Sequence, residues 1–269
     1  MECQKRILVL LQQSNFETGT HLLCLDNEFC GTHNGKHFIS LYNAFILKKH
    51  LLEIDSVQKS FDVKSILSDV YLKCETGDII GVLGRNGTGK STLLQIVFGI
   101  IPADFKFIRV DGTVVSKLEK GFQAISYLSQ EDFIPKHFSV KKVLYLSLEK
   151  DKINDFNADE MIQTLLNKKV KDLSGGELRY LEIKLLLSKD SKFILLDEPY
   201  NGLSPIAIEK INTLILENAS SKGIIITDHN YENVIKISTQ LRLLKEGKLH
   251  TITDISQLVG KGYLLAGML

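Results

Sequence analysis

The stretch GRNGTGKST, residues 84–92, has the residue types and spacing that point most directly to a chemistry. It fits the pattern G-x-x-x-x-G-K-[ST] and lies between a short apolar run and a helical pattern, the context that a phosphate-binding loop requires. Its glycines let the backbone curl so that successive N–H groups point inward, and the start of the helix adds a partial positive charge. The matching residues disfavour the alternative, a glycine-rich turn that binds nothing.

We expect this loop to hold the phosphates of a nucleotide. Lys90 should reach the β- and γ-phosphates, and the Ser91 hydroxyl should bind Mg²⁺. The predicted nucleotide-binding residues of the loop are Gly84, Arg85, Asn86, Gly87, Thr88, Gly89, Lys90, Ser91 and Thr92.

Two adjacent carboxylates, Asp197 and Glu198, follow the apolar run FILL and precede a proline. If this run is a buried strand beside the phosphate loop, Asp197 can bind Mg²⁺ directly or through water. Glu198 would then polarise the attacking water as a general base. The alternative is a carboxylate pair that caps a helix or lies in a solvated turn, and the presence of a phosphate loop disfavours it.

The stretch LSGGE, residues 173–177, allows two interpretations. Ser174 and Glu177 have the spacing of a capping box that opens the next helix. A serine and two glycines at a helix start also present free N–H groups to a phosphate. The stretch alone favours neither, and only the order of motifs along the chain bears on the choice.

The elements that position these residues are recognisable from residue 51 onward. Apolar or alternating runs predict strands at 51–57, 65–74, 78–84, 124–130, 192–199 and 223–229. Helical patterns occupy 90–98, 177–187 and 205–218, and residues 241–252 predict a hairpin that turns at Glu246-Gly247. Strands that alternate with helices predict an α/β fold with a mostly parallel sheet, whose central strands are buried on both faces.

Composition excludes several classes of protein. The 269 residues are 44% hydrophobic, and 33 basic against 32 acidic residues leave a net charge of +1, which gives no general attraction to nucleic acid or anionic lipid. The cysteines form no C-x-x-C pair, which argues against a zinc site or a disulfide framework and favours a reducing cytosol: Cys3, Cys24, Cys30 and Cys74. No apolar run has the length of a membrane span, and RILVLL at 6–11 is too short for an export signal.

The order of the motifs resembles that of the ATP-binding cassette (ABC) family, the motor subunits of ABC transporters, over roughly residues 51–249. In this resemblance 84–92 is the Walker A loop, Gln130 the Q-loop glutamine, and Ser174 to Glu177 the signature motif. Asp197 and Glu198 match the Walker B aspartate and the catalytic glutamate, and His229 matches the switch histidine. Phe61 stands where the family stacks an aromatic ring on adenine, although a strand-end core residue is the alternative.

The resemblance implies a P-loop NTPase with a RecA-like core and mostly parallel sheet, an antiparallel β subdomain and an inserted α-helical subdomain. It implies ATP and Mg²⁺ as cofactors, with Lys90, Glu198 and His229 in catalysis and Ser91, Gln130 and Asp197 at the metal. The signature residues Ser174, Gly175, Gly176 and Glu177 would close over ATP held by the Walker A loop of another cassette. The active unit would therefore be a head-to-tail homodimer or heterodimer with two shared sites.

The partners implied by the resemblance are transmembrane permease subunits on separate chains, which places the protein on the cytoplasmic face of the inner or plasma membrane. The alternative is a soluble ABC ATPase that acts on a macromolecular assembly. Members of that kind usually carry two cassettes, a long coiled coil or a basic insert, and this sequence has none of them. No nucleic-acid partner is expected. LSGGE and His229 disfavour a nucleotide kinase or GTPase.

Within the family, LSGGE with KFILLDEP and ITDHN most resembles the cassettes of lipopolysaccharide export and branched-chain amino acid uptake. The span from Gln130 to Ser174 is short for that group. Ser204 departs from the family, which usually has an aspartate there in the D-loop. Ser204 followed by Pro205 predicts an N-cap and first-turn pair. We expect hydrolysis to survive this change, and coupling between the two sites is the property that it would affect.

The predicted domain organisation has three parts. Residues 1–47 show no sustained period and have no counterpart in the family. We favour a start site assigned too far upstream or an expression artefact over the alternative, a genuine extension. Residues 48–257 form the cassette, with 131–173 as its helical subdomain. Residues 258–269 form a C-terminal tail.

Overall fold

The computed structural model describes residues 49–115 and 124–265. The segment 1–47 and its predicted boundary with the cassette lie outside these residues. The strands of the described part are β1 (Leu51–Phe61), β2 (Lys64–Glu75), β3 (Ile79–Leu83), β4 (Phe105–Val110), β5 (Thr113–Val114), β6 (Ile125–Leu128), β7 (Phe193–Asp197), β8 (Gly223–Thr227), β9 (Gln240–Lys245) and β10 (Lys248–Ile252). Its α-helices are α1 (Lys90–Phe98), α2 (Val140–Ser147), α3 (Lys150–Asn157), α4 (Glu160–Leu165), α5 (Gly175–Leu187), α6 (Pro205–Ala219), α7 (Tyr231–Ile237) and α8 (Ser256–Gly260).

Two sheets organise the described residues. The larger has the order β10-β9-β3-β8-β7-β6, and its strands from β9 to β6 are parallel. The smaller is antiparallel, with the order β2-β1-β4-β5. The predicted α/β class, with an antiparallel β part and helices beside a mostly parallel sheet, is confirmed.

The parallel sheet is buried on both faces, so its central strands read as continuous apolar runs. Side chains alternate between two hydrophobic clusters along each strand. On β3, Ile79 and Leu83 pack into the cluster that contains α5, α6 and α7, whereas Ile80 and Val82 pack into the cluster that contains α1 and the antiparallel sheet. Side chains along β7 alternate in the same way: Ile194 packs into the cluster that contains α5, and Phe193 packs into the cluster that contains α1. The sheet thus divides the core into two layers.

Most elements that were predicted from the pattern are observed. The helix over 90–98 is found with those bounds, and the hairpin turns at Glu246-Gly247 as expected. The strand predictions for 51–57 and 65–74 were too short, since pairing of β1 with β2 continues to Phe61 and Lys64. Strand β4 was missed, although it is the second partner of β1. The helical subdomain predicted at 131–173 contains α2, α3 and α4.

Asp111 ties the antiparallel sheet to the start of β7. Its carboxylate accepts hydrogen bonds from the Leu51 backbone at 3.0 Å and from Lys192 Nζ at 2.7 Å, and it lies 2.8 Å from His50 Nδ1. Burial raises the pKa of Asp111, but these hydrogen bonds outweigh it and hold the pKa well below its usual range. The backbone φ of Asp111 is +52°, a region that asparagine also tolerates.

Asp111→Asn therefore removes the charge without changing the backbone preference. Because the folded pKa is lowered, the carboxylate stabilises the fold above the unfolded pKa of about 3.9, and this stabilisation is lost as the pH falls through the folded pKa. We expect the variant to lose about 1 kcal/mol of unfolding free energy at pH 7, a value reduced for solvent screening.

Urea denaturation at several pH values measures this difference. The gap in unfolding free energy between wild type and Asp111→Asn should stay constant above about pH 5 and narrow below it. Asp69→Asn is the matched control, because Asp69 is exposed and has a φ of +57°. A gap that is independent of pH down to acid unfolding would contradict the prediction.

Candidate nucleotide site

A cleft of about 380 Å³ opens where the antiparallel sheet meets the loop before α1. The residues that line it are Phe61, Ile66, Asn86, Gly87, Gly89, Lys90, Ser91, Thr92, Gln130 and Glu198. All of them except Ile66 were predicted from the sequence. Phe61 is 47% exposed, so it is not a core residue and its ring is available at the mouth of the cleft. The structure therefore brings the loop, Gln130 and Glu198 to one place.

The loop between β3 and α1 has the curled backbone that its glycines predict. Gly87 and Gly89 have φ values of +77° and +102°, which side-chain-bearing residues rarely adopt. Lys90 is 5% exposed, and its Nζ donates to the carbonyls of Gly84 at 2.8 Å and Arg85 at 3.3 Å. Burial lowers the pKa of Lys90, and the nearby carboxylates of Glu198, Asp197 and Asp228 oppose this. A phosphate would replace the two carbonyls as the partner of the ammonium group.

Asp197 connects the end of β7 to the loop. It is 1% exposed and accepts hydrogen bonds from Ser91 Oγ at 3.0 Å, Thr227 Oγ1 at 2.8 Å and Tyr127 Oη at 3.0 Å. In the sheet, β8 lies between β7 and β3, so β7 is not the direct neighbour of the strand that leads into the loop. The serine side chain makes the contact instead. Burial and Asp197 together raise the pKa of the Tyr127 phenol, which keeps it a donor.

Glu198 follows directly in a conformation that is uncommon for a residue with a side chain. Its φ is +47°, and its backbone N–H donates to the Thr227 carbonyl at 2.8 Å. Such strained positions cluster at functional sites, where the surrounding structure holds them. His229 Nδ1 lies 3.8 Å from Glu198 Oε2, and the imidazole is 53% exposed. The turn after β7 thus places a carboxylate in the cleft, and the turn after β8 places an exposed histidine beside it.

The residues predicted to bind a metal have suitable ligand atoms close together. Ser91 Oγ lies 3.0 Å from Asp197 Oδ1 and accepts a hydrogen bond from Gln130 Nε2 at 3.3 Å. Hydroxyl, amide and carboxylate oxygens are the ligands that Mg²⁺ prefers, with the remaining positions taken by water and substrate phosphates. Ser91 and Asp197 therefore fit this metal, and Gln130 would join them through its amide oxygen, since Nε2 is the atom that faces Ser91.

The signature residues lie at the start of α5 and do not line the cleft. Ser174 Oγ accepts from the Glu177 N–H at 3.3 Å, and Glu177 Oε2 accepts from the Ser174 N–H at 2.7 Å, which completes a capping box. Lys168 Nζ, at 2.8 Å, lowers the pKa of Glu177. Ser174 and Gly175 are exposed. The capping interpretation is observed, and these exposed groups also leave the helix start accessible to a further molecule.

The D-loop lies beside the signature. Ser204 caps α6 by accepting from the Ala207 N–H at 3.3 Å, and Pro205 takes the first helical position, as predicted. A side chain added at Gly176 would come within 3.1 Å of Ala207, so the starts of α5 and α6 are close neighbours. Ile206, in the first turn of α6, has a side chain that is 72% exposed. Together these residues form one exposed surface.

A buried ion pair that the sequence pattern did not reveal holds the Q-loop. Arg179 and Glu182 on α5 are 6% and 0% exposed, and their side chains meet at 3.2 Å. Arg179 donates to the carbonyls of Ser129 at 3.0 Å and Gln130 at 2.7 Å, while Glu182 accepts from the Phe133 N–H at 2.7 Å. Burial raises the pKa of Glu182, which the Phe133 hydrogen bond and Arg179 oppose. A charged i, i+3 pair within an apolar helix was the available signal.

Asp228 was also missed, although it lies next to the predicted His229. It is fully buried, and each of its oxygens accepts one backbone N–H: Oδ2 from Tyr200 at 2.9 Å and Oδ1 from Asn230 at 2.8 Å. His229 Nδ1 lies 3.4 Å from Oδ1. Asp228 therefore holds together the turn that follows Glu198 and the turn that carries His229.

The family model and the similar proteins found by comparison all point to the same family. A family model described as ABC transporter matches residues 67–201. The lipopolysaccharide export system ATP-binding protein LptB of Escherichia coli K12 is 33% identical over 223 residues, which are 77% of this chain and 92% of that protein. ABC transporter A family member 11 of Dictyostelium discoideum is 29% identical over 250 residues, 84% of this chain but 30% of that much longer protein.

Solved structures agree on the fold. An ATP-binding subunit of an ABC transporter superposes with a TM-score of 0.69 at 20% identity, covering 78% of this chain and 93% of its own. A nucleotide-free ATP-binding cassette from an ABC transporter gives a TM-score of 0.67 at 22% identity, covering 78% and 95%. At these identities the likeness concerns the fold.

Asp228→Asn tests whether this carboxylate positions the two turns. An asparagine has one acceptor oxygen, so its NH₂ group would face one of the two backbone donors. We expect kcat for ATP hydrolysis to fall about tenfold, equivalent to about 1.4 kcal/mol, while the Kd for ATP stays within about twofold. Asp254→Asn is the control, since Asp254 accepts the Ser256 N–H in an exposed turn. An unchanged kcat at normal Tm would show that Asp228 has no such role.

Glu182→Gln tests the buried pair. The substitution keeps an oxygen for the Phe133 N–H but leaves the Arg179 charge buried without its counter-charge. We expect the unfolding free energy to fall by about 3 kcal/mol, measured by urea denaturation. Glu209→Gln, whose pair with Lys236 is more than half exposed on both sides, should cost about 0.5 kcal/mol or less. Equal losses in the two variants would contradict the structural assignment.

Proposed function

The chain belongs to the ABC transporter ATP-binding family, and from this premise we propose how its residues bind and hydrolyse ATP. It is an ATP-binding and ATP-hydrolysing subunit of an ABC transporter. The match to transporter ATP-binding proteins favours this function over a soluble ABC ATPase that acts on a macromolecular assembly. The observation that carries the proposed mechanism is the cleft in which Phe61, the loop 84–92, Gln130 and Glu198 meet.

In this proposal the loop binds the phosphates and Phe61 stacks on adenine. The backbone N–H groups at the start of α1 would supply fixed partial positive charge. Lys90 exchanges its two carbonyl partners for β- and γ-phosphate oxygens, and the charge on its ammonium group is favoured by Glu198, Asp197 and Asp228. Because Lys90 is already buried and held in place, little side-chain entropy is lost when the phosphate arrives.

The proposed metal ligands are Ser91, Asp197 and Gln130. When bound there, Mg²⁺ would neutralise charge on the phosphate oxygens. Asp197 is held for this role by Thr227 and Tyr127, which fix its two oxygens without neutralising it.

Glu198 is the proposed general base. Its side chain reaches the cleft and is 17% exposed, so water has access to the carboxylate. The strained backbone at Glu198 and the bond to Thr227 fix the direction of the side chain. His229, 3.8 Å away, would contact the γ-phosphate and complete the set of groups around the attacking water.

A second cassette completes the site in this proposal. The exposed N-terminus of α5 at Ser174 and Gly175 lies outside the cleft of its own chain, which supports action on ATP held by a partner copy. Ser204 and the exposed Ile206 lie beside it and would join the same interface. We therefore propose a head-to-tail dimer of this chain, or of this chain with a related cassette, that closes on two ATP molecules.

The proposed transport partners are membrane-spanning subunits on separate chains. None of the helices in the described part of the chain has the length and apolar character needed to cross a bilayer. The helical subdomain, with exposed Phe133, Tyr145 and Leu146, is the proposed surface for these subunits. Its use would place the protein at the cytoplasmic face of the membrane.

Glu198→Gln tests the chemical role of the glutamate. We expect ATP hydrolysis to fall at least about a hundredfold while ATP binding persists, because the amide cannot take a proton from water but still fits the turn. In ATP the variant should elute as a dimer in size-exclusion chromatography, whereas in ADP it should elute as a monomer. Retained hydrolysis would assign the base to another residue.

The same variant identifies the partner. Affinity purification from native cells in mild detergent should retain integral membrane proteins when ATP is present and lose them when ADP replaces it. Recovery of a ribosomal or DNA-bound assembly in place of membrane proteins would refute the proposed transport partners.

A further inference from the structure

The end of the described chain folds back onto the nucleotide site. We call residues 261–264 the C-terminal turn. It follows α8, where the N–H groups of Lys261, Gly262 and Tyr263 donate to the carbonyls of residues 257, 259 and 258. Gly262 has a φ of +69°, a conformation that favours glycine and ends the helix. Leu264, 5% exposed, then enters the core beside Leu258, so the turn is anchored on both sides.

Two cationic side chains hold the carbonyls that this turn presents. Arg85 Nη2 donates to the Gly262 carbonyl at 2.8 Å, and Lys245 Nζ donates to the Lys261 carbonyl at 2.9 Å. The carbonyl end of a helix carries partial negative charge, which favours both contacts. Arg85 is the second residue of the phosphate loop and was predicted to bind nucleotide. Its guanidinium group binds the C-terminal turn, which leaves the Arg85 backbone to the predicted role.

Tyr263 makes the second link to the loop. Burial raises the pKa of its phenol, and the nearby backbone of Gly84, the first loop residue, opposes this rise. Its ring packs edge-on against Tyr231, with centroids 6.3 Å apart. Tyr231 is the first residue of α7 and lies two positions after His229. One short turn therefore contacts both the start of the phosphate loop and the helix that follows the switch histidine.

We propose that the C-terminal turn is a brace for the phosphate loop, with Arg85 and Tyr263 as its positioning residues. The two loop residues that it holds are those whose carbonyls accept hydrogen bonds from Lys90. Fixing them keeps Lys90 and the curled backbone in the geometry that receives phosphate. A loop ordered in advance loses less entropy on binding, so the brace increases affinity for ATP. This inference rests on the proposed function only in taking ATP as the ligand of the loop.

The test compares full-length wild type with Arg85→Gln, Tyr263→Phe and the double variant. Tyr263→Phe removes only the phenol oxygen and keeps the ring packing against Tyr231, so it separates the effect of the hydroxyl beside Gly84 from that of folding. Arg109→Gln and Tyr71→Phe, the same substitutions on the antiparallel sheet, are the matched controls. Two quantities are measured: the Kd of a ribose-labelled fluorescent ATP analogue, and hydrogen–deuterium exchange of the peptide that covers residues 84–92.

We expect each single variant to raise the Kd about three- to fivefold and to speed exchange of the loop peptide, and the controls to change neither. Because Arg85 and Tyr263 both link one turn to the loop, the double variant should raise the Kd by less than the product of the single effects. For Tyr263→Phe, kcat at saturating ATP should stay within about twofold, since bound phosphates then order the loop.

Kd and loop exchange unchanged in both single variants would overturn the brace. A Tyr263→Phe variant that loses kcat and Tm together at unchanged Kd would also overturn it, because the turn would then act only in packing. If wild type itself fails to bind the ATP analogue, the proposed nucleotide site is wrong, and that outcome is separate from failure of the brace.

Discussion

The buried carboxylate of Asp197 is the interaction on which the rest of the site depends. Its hydrogen bonds reach Ser91 at the start of α1, Thr227 at the end of β8 and Tyr127 on β6. A buried carboxylate is costly unless its oxygens are paired, so the three donors and the carboxylate must be present together. Their common partner keeps the phosphate loop, the Walker B strand and the two neighbouring strands in one register. The geometry of the cleft is therefore maintained by the same buried contacts that stabilise the fold.

Charged side chains also position the loops that surround this centre. Arg179 and Arg85 each use a guanidinium group to hold backbone carbonyls, of the Q-loop in one case and of the C-terminal turn in the other. Asp228 is an acceptor where the arginines are donors, and its carboxylate binds the backbone N–H groups of Tyr200 and Asn230. Charge-assisted hydrogen bonds to the backbone fix a loop without specifying its side chains. The loops around the cleft can thus present nucleotide-binding residues while their own main chains stay ordered.

Much of the site could be predicted from the sequence, because its motifs are local. A phosphate loop needs glycines and a lysine at fixed spacing between a strand and a helix, and 84–92 supplied them. The buried strands β3, β7 and β8 are continuous apolar runs that few other structures allow. Prediction failed where the pattern is weak. Strand β4, FKFIRV, mixes charged and exposed aromatic residues and is recognisable as a strand only through its pairing with β1.

The sequence by itself determined the family, most of the order of the elements and all residues lining the nucleotide cleft except Ile66, since each depends on residue types a few positions apart. Only the tertiary structure decided which charged side chains are buried and which backbone groups they hold. Arg179 and Glu182 would face solvent on an isolated helix, and packing of α5 against the Q-loop buries them. Arg85 and Gly262 are 177 residues apart, and no local pattern links them. Such contacts form only when distant segments meet in the fold, and they depend on the other contacts that hold those segments together.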